Sequence, residues 1–278
     1  SFTVHSFRLT LKFLNEPKSP VFFCYCCFFV LKYSKRSRNF ISGKERTMVK
    51  GKLNKYGLKA IIVQYVWLLV SVLVFSLTAG TINVPNAWLF YTCSLIVTII
   101  HTFFYLAYPE RANERGTYKE GTKPIDKVYL GVYFFITVVV FPFIAGLEVG
   151  RLGTILINRY VSYGAVIFYF LACYINIWSM KVNRFFEGTI RIQEEREQRV
   201  VTEGPYKFIR HPGYLAMIIG SLMTPLILGS FFGVFWALIA IIVLILRTDY
   251  EDKVLQEELK GYKEYTQKVK YRLFYGIW

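Results

Sequence analysis

The sequence predicts an all-α integral membrane protein of about six transmembrane helices, and three observations lead there. Of its 278 residues 54% are hydrophobic and 18% aromatic, and the mean hydropathy of +0.37 is high for a soluble domain. These apolar residues are grouped into runs near the length that crosses a hydrocarbon core of about 30 Å as a helix. The 34 Lys and Arg residues, against 18 Asp and Glu for a net charge of +16, sit between the runs, the positive-inside pattern of a chain facing anionic lipid. On a soluble chain this charge would suggest nucleic acid, but nothing resembles an RNA- or DNA-binding module, and no nucleic-acid partner is expected.

Residues 1–47 mix aromatic, cysteine and basic residues without a sustained period, and the first methionine is Met48. They read as a non-native or disordered leader. The apolar stretch 21–31 is too short to span a bilayer, and basic residues follow it where a signal peptide would carry a small-residue cleavage site. From Met48 the pattern becomes regular. Lys50, Lys52, Lys55 and Lys59 precede a run over 60–80, and the charge-free turn 81–86 leads to a second over 87–108, with Trp88 as an interfacial aromatic. The interval 109–127 is charged and turn-rich and reads as a loop in water. A third run covers 128–147 and, after a sparse connection over 148–159, a fourth covers 160–180, so that 48–180 holds four spans.

Residues 214–246 are apolar almost throughout. As one helix at 1.5 Å per residue they would measure roughly 50 Å, far beyond the bilayer core. The chain is therefore expected to fold back, using the turn chemistry of Thr224-Pro225 and of 229–233, into two short spans. Basic residues concentrate in the N-terminal flank, in 109–127, in 181–212 and in the C-terminal tail. This alternation puts both termini, and the polar intervals 181–212 and 247–278, on the cytosolic side. Cys24, Cys26 and Cys27 lack a CxxC spacing, and Cys93 and Cys173 stand alone inside spans. Neither a metal site nor a structural disulfide is expected.

The chain is organised around the polar stretch 191–214, which ends in Arg210-His211-Pro212-Gly213-Tyr214 just before the apolar residues resume. Breaks at Gly204-Pro205 and His211-Pro212 suit a ligand-binding loop that launches a helix, because Pro favours the first helical position and disfavours helix in the residue before it. The plainer reading is a helix start at the interface with Tyr214 as an anchor. Beyond the hairpin, Arg247, Asp249, Glu251 and Asp252 emerge from the last span. The four-residue step from Arg247 to Glu251 puts both on one helical face, as an intrahelical ion pair or as two walls of a site. The two intervals together predict a cytosolic pocket between the loop before the hairpin and the helix after it, so that 181–278 forms the functional core.

The R-H-P-x-Y box at 210–214, the Arg-x-x-x-Glu-acidic box at 247–252 and the closing Gly261, Tyr262 and Tyr265 resemble the isoprenylcysteine carboxyl methyltransferase family and its phospholipid N-methyltransferase relatives. The resemblance implies a helical membrane enzyme that uses S-adenosylmethionine without a Rossmann fold; no G-x-G-x-x-G or Walker loop is present. It implies cofactor contacts from Gln193, Gln198, Arg199, Val200, Val201, Tyr206, His211, Pro212, Gly213, Tyr214 and Glu251, with Arg247 orienting the acceptor. Asp252 stands where many relatives have a second Glu, and the Gln193 to Gln198 spacing is shorter than in the eukaryotic prenylcysteine enzymes. The residue types suit the cofactor. His211 or backbone N–H groups would meet its carboxylate, Glu251 its ammonium or ribose diol, and Tyr206 or Tyr214 its ring or sulfonium. Methyl transfer from a sulfonium needs alignment and exclusion of water, without a metal. The expected partners are a lipidic or prenylated acceptor and membrane lipids, with Arg247 able to grip a carboxylate or a phosphate. The resemblance implies carboxyl O-methylation of an isoprenylcysteine-like acceptor; the alternatives are a phospholipid N-methyltransferase, a steroid 5-alpha-reductase-like enzyme using NADPH and a non-catalytic lipid-binding protein.

Overall fold

The computed structural model describes residues 51–115 and 119–278; the leader at 1–47 and the cysteines 24, 26 and 27 lie outside them. The described residues are helical, with no strand among them. The elements are α1 (Lys55–Ala79), α2 (Pro85–Ala107), the short α3 (Pro109–Asn113), α4 (Pro124–Arg151), α5 (Arg159–Val182), α6 (Pro212–Leu228), α7 (Phe231–Glu258) and α8 (Tyr262–Lys268). Among them α1, α2, α4, α5 and α7 are long and apolar enough to cross a membrane. The sixth apolar helix, α6, has 17 residues, about 25 Å of helix at 1.5 Å per residue.

Local chemistry sets these boundaries. Proline occupies the start of α2, α3, α4 and α6, where its missing N–H costs nothing. Asn54, Asn158 and Ser230 supply the side-chain caps of α1, α5 and α7. The α6–α7 turn is tighter than expected, only Gly229 and Ser230 lying between the helices. Gly229 takes the left-handed conformation at φ 79°, which only glycine enters without strain. Pro225 is no part of the turn. It lies inside α6, and its carbonyl accepts from Ser230 N at 2.9 Å.

Two further expectations are corrected. The 148–159 connection begins later, because α4 runs on to Arg151 through π-turns on both sides of the segment containing Pro142. Glu148, expected in the connection, is buried at 3% exposure and caps α7. Its carboxylate accepts from Ser230 Oγ at 2.6 Å, Phe231 N at 2.9 Å and Phe232 N at 3.1 Å, satisfying donors that a helix N-terminus leaves open. Nor is 109–127 simply a loop in water. Arg111 on α3 is buried, donating to Met180 O and Arg184 O, and Asp126 is fully buried on α4.

Helices α4 and α7 thus run antiparallel and are joined at both ends, by Glu148 on the α7 N-terminus and by Asp126 with Arg247, Nε to Oδ1 2.6 Å. Helix α1 packs closely on α4. A Cβ on Gly146 would lie 2.8 Å from Phe75 O, and one on Gly150 2.3 Å from Ala79 Cβ. The Gly-x-x-x-Gly spacing lets two backbones approach as membrane helices do. Replacing Glu148 by Gln puts an amide NH2 among donors, and it should lower stability by about 2 kcal/mol. Thermal unfolding in detergent measures this; an unchanged melting temperature would mean that Ser230 caps α7 alone.

Candidate functional site

Between α5 and α6 the chain makes only two short 3-10 turns, Glu194–Arg196 and Gly204–Lys207, so its shape depends on side chains. Arg191 forms a two-point pair with Glu187 at 2.9 Å and a second with Glu195 at 2.6 and 3.1 Å. That partner holds the Glu195 carboxyl down at about 2. Gln193, 2% exposed, donates through Nε2 to Phe185 O at 2.7 Å, and its backbone N donates to Gln198 Oε1 at 2.7 Å. Asp126 Oδ2 accepts from Ile190 N at 2.9 Å, fastening the loop to α4. Gly204, at φ +57°, leaves no room for a side chain beside Val182 and Trp178.

The C-terminal tail closes the other side. Arg210 N and His211 N donate to Tyr271 O and Arg272 O, both at 2.9 Å. Beneath them Asp252, 0% exposed, accepts from Arg210 Nε and Nη2 (2.8 and 2.9 Å), His211 Nε2 (3.0 Å), Gln256 Nε2 (2.8 Å), Tyr262 OH (3.1 Å) and Arg272 Nε (2.9 Å). Arg210 also donates to Val269 O and Lys270 O. Burial and the Asp252 charge push the Tyr262 phenol well up, so it remains a donor. Tyr265 OH, raised by burial as well, donates to Tyr206 O at 2.7 Å. The closing tyrosines are therefore struts between α8 and the loop.

These elements enclose a cavity of about 760 Å³ bounded by α1, α2, α4, α5, α6, α7 and α8 and by the 183–201 segment. Arg247, Gln193, Gln198, Arg199, Val200, Val201, Tyr206, His211, Pro212, Gly213, Tyr214 and Glu251 all line it. The structure gives them different surroundings. Gln193 and Gln198 use their amides to shape the loop. Gly213 lies under the Phe186 ring, where a Cβ would come within 2.6 Å of two ring carbons. Tyr206 is buried, its phenol pushed up by that burial, and its oxygen accepts from Asn183 Nδ2 at 3.3 Å. Tyr214 OH donates to Glu251 Oε2 at 2.5 Å.

Arg247 and Glu251 do not form the intrahelical pair that their spacing allows. Arg247 turns to Asp126, gives Nη2 to Gly188 O at 2.8 Å, and stacks over the Tyr214 ring at 5.1 Å. The physical reason is burial, since a guanidinium at 5% exposure is best answered by a carboxylate at 0%. For His211, Nε2 faces a carboxylate and so carries a proton. In the neutral ring Nδ1 is then an acceptor, which suits a hydroxyl or ammonium rather than a carboxylate.

Asp126 and Arg115 are cavity-region residues that the motifs do not mark. Asp126 has a weak signal, an acid two residues after Pro124 at the head of an apolar run; Arg115 is one charge among several in a polar interval.

With this geometry in place, comparison with known proteins finds a match over part of the chain. Residues 165–257 match the isoprenylcysteine carboxyl methyltransferase (ICMT) family. The ICMT match takes in most of α5, the loop, α6 and nearly all of α7, and leaves out α1 to α4. Two curated relatives, each described as a probable protein-S-isoprenylcysteine O-methyltransferase, come from Oryza sativa subsp. indica and subsp. japonica. Each is 33% identical over 93 residues, covering 31% of this chain and 46% of the relative. The chain thus spans about half the length of the curated relatives it matches.

Asp252→Asn would leave the Arg210 guanidinium buried without its charge partner, a change that typically costs about 3–5 kcal/mol. Denaturant unfolding in detergent should show that loss; a stability within about 0.5 kcal/mol of the parent would mean that the tail is held by other contacts.

Proposed function

We propose that the protein is a multi-pass membrane methyltransferase that uses S-adenosylmethionine to methylate the carboxylate of a prenylcysteine-like, lipidic acceptor. One observation carries the reading: the cavity lined by every position matching the family's cofactor loop also receives Arg247, whose Nη1 makes no hydrogen bond among the described residues. In this reading α6 is a sixth, short crossing, residues 181–278 are the methyltransferase core, and the positive-inside pattern turns the cavity to the cytosol.

The donor set fits the cofactor. Among the described residues the Glu251 carboxylate is hydrogen-bonded through Oε2, to Tyr214, so that Oε1 can face an ammonium or hydroxyl; in the neutral ring His211 Nδ1 accepts from an N–H or O–H, and Tyr206 offers a buried aromatic face. When bound, the cofactor supplies a methyl group already activated on a sulfonium. Arg247 orients the acceptor, since its planar fork matches a carboxylate in two-point contact while Asp126 keeps the guanidinium in place. A carboxylate nucleophile carries no proton to remove, so the site needs alignment and exclusion of water rather than a general base. In this reading the loop held by Arg191 and Gln193 covers the reacting groups once both reactants are bound.

Calorimetry on the detergent-purified protein tests the cofactor. S-adenosylmethionine should bind and NADPH should not; the reverse would assign a reductase, and binding of neither a non-catalytic protein. Arg247→Lys keeps the charge and loses the fork. With an S-farnesylated cysteine as acceptor, kcat/KM should fall by about tenfold or more while cofactor affinity stays within about twofold. An unchanged kcat/KM would leave Arg247 as a structural partner of Asp126.

A further inference from the structure

The cofactor proposed above presents a carboxylate and an ammonium on one carbon, and Glu251 answers the ammonium. His211 cannot answer the carboxylate as a neutral ring, because its Nε2 proton is committed to Asp252. The cationic side chains lining the cavity are then the candidates. Arg191 is paired with Glu187 and Glu195, Arg210 with Asp252 and Arg247 with Asp126, while Lys59 and Arg199 are exposed.

Arg115 differs from all of these. It lines the cavity, is only partly exposed, and among the described residues no carboxylate lies within ion-pair distance of it. A partly buried guanidinium at the cavity wall, with no carboxylate beside it among the described residues, is ready to meet an anion supplied from outside the chain. The guanidinium is held in place, stacked on the Phe186 ring at 5.0 Å, and that ring in turn packs against the Gly213 backbone. Arg115 therefore rests against the start of α6 at Gly213, while Arg247 stacks on the adjacent Tyr214; successive helical positions diverge by about 100°. Tyr206 lies within electrostatic reach of both Arg115 and Glu251, so the cavity offers a cation and an anion around one phenol.

We infer that Arg115 holds the carboxylate of the cofactor's amino-acid end, with Glu251 facing its ammonium, so that Arg247 is left to the acceptor. Two anionic groups enter the cavity in the proposed reaction, and two separately placed guanidiniums meet them. The inference rests on S-adenosylmethionine being the cofactor, and it assigns a role to a residue outside the segment that matches the family.

The test is calorimetry on the full chain with two probes, S-adenosylmethionine and its decarboxylated analogue. Arg115→Met keeps an unbranched stem to pack on Phe186 and removes the charge. It should weaken S-adenosylmethionine by about 10- to 100-fold, the range of a charged hydrogen bond, and leave the analogue within about threefold. The unaltered protein should prefer S-adenosylmethionine over the analogue by a similar factor, and the ligand-free melting temperature of the variant should be unchanged. Equal weakening of both probes would make Arg115 a packing residue, and no weakening of either would remove it from the site. If the unaltered protein bound both probes equally, the cofactor assignment would stand and this inference would fall. Binding of neither would overturn both.

Discussion

A carboxylate withdrawn from water must be surrounded by donors, and Asp252 is the place where this protein concentrates them. Arg210, His211, Gln256, Tyr262 and Arg272 converge on it from the loop end, α7, α8 and the tail. A lone buried carboxylate would carry a desolvation cost of several kcal/mol, so these segments are bound to assemble together or not at all. The arrangement fixes more than stability. It places a proton on His211 Nε2, turns the backbone of the R-H-P box against the tail, and in the neutral ring leaves the opposite edge of the imidazole as an acceptor.

A second buried acid extends the same logic to the membrane frame. Asp126 accepts from Arg247 through one oxygen and from the Ile190 backbone through the other, so α4, α7 and the polar loop meet at a single side chain. At the far end Glu148 caps α7 from α4. Helices α4 and α7 are thus joined at both ends, and α1 is held against α4 through Gly146 and Gly150.

Much of this was legible in the residues. Run lengths and the distribution of basic residues predict the membrane helices, because a bilayer imposes its thickness on any segment that crosses it. The length of 214–246 requires a fold-back, and the structure has one, although the turn is Gly229-Ser230 and Pro225 stays helical. The boxes at 210–214 and 247–252 mark segments that do line one cavity. Less legible was which partner each charge takes. The step from Arg247 to Glu251 allows an ion pair, and the structure gives Arg247 to Asp126 and Glu251 to Tyr214.

By itself the sequence determined the helices, the polar interval they interrupt and the residue types that interval brings to a site. Those properties follow from local composition and from solvent: apolar runs leave water, prolines start helices, and glycine permits a left-handed turn. Only the tertiary structure decided the pairing of buried charges. Asp126 and Arg247 are 121 positions apart, and Arg115 and Glu251 lie on opposite sides of that separation. Pairing in a low-dielectric interior is set by which groups desolvate together, a property of the packed helices that no spacing along the chain encodes.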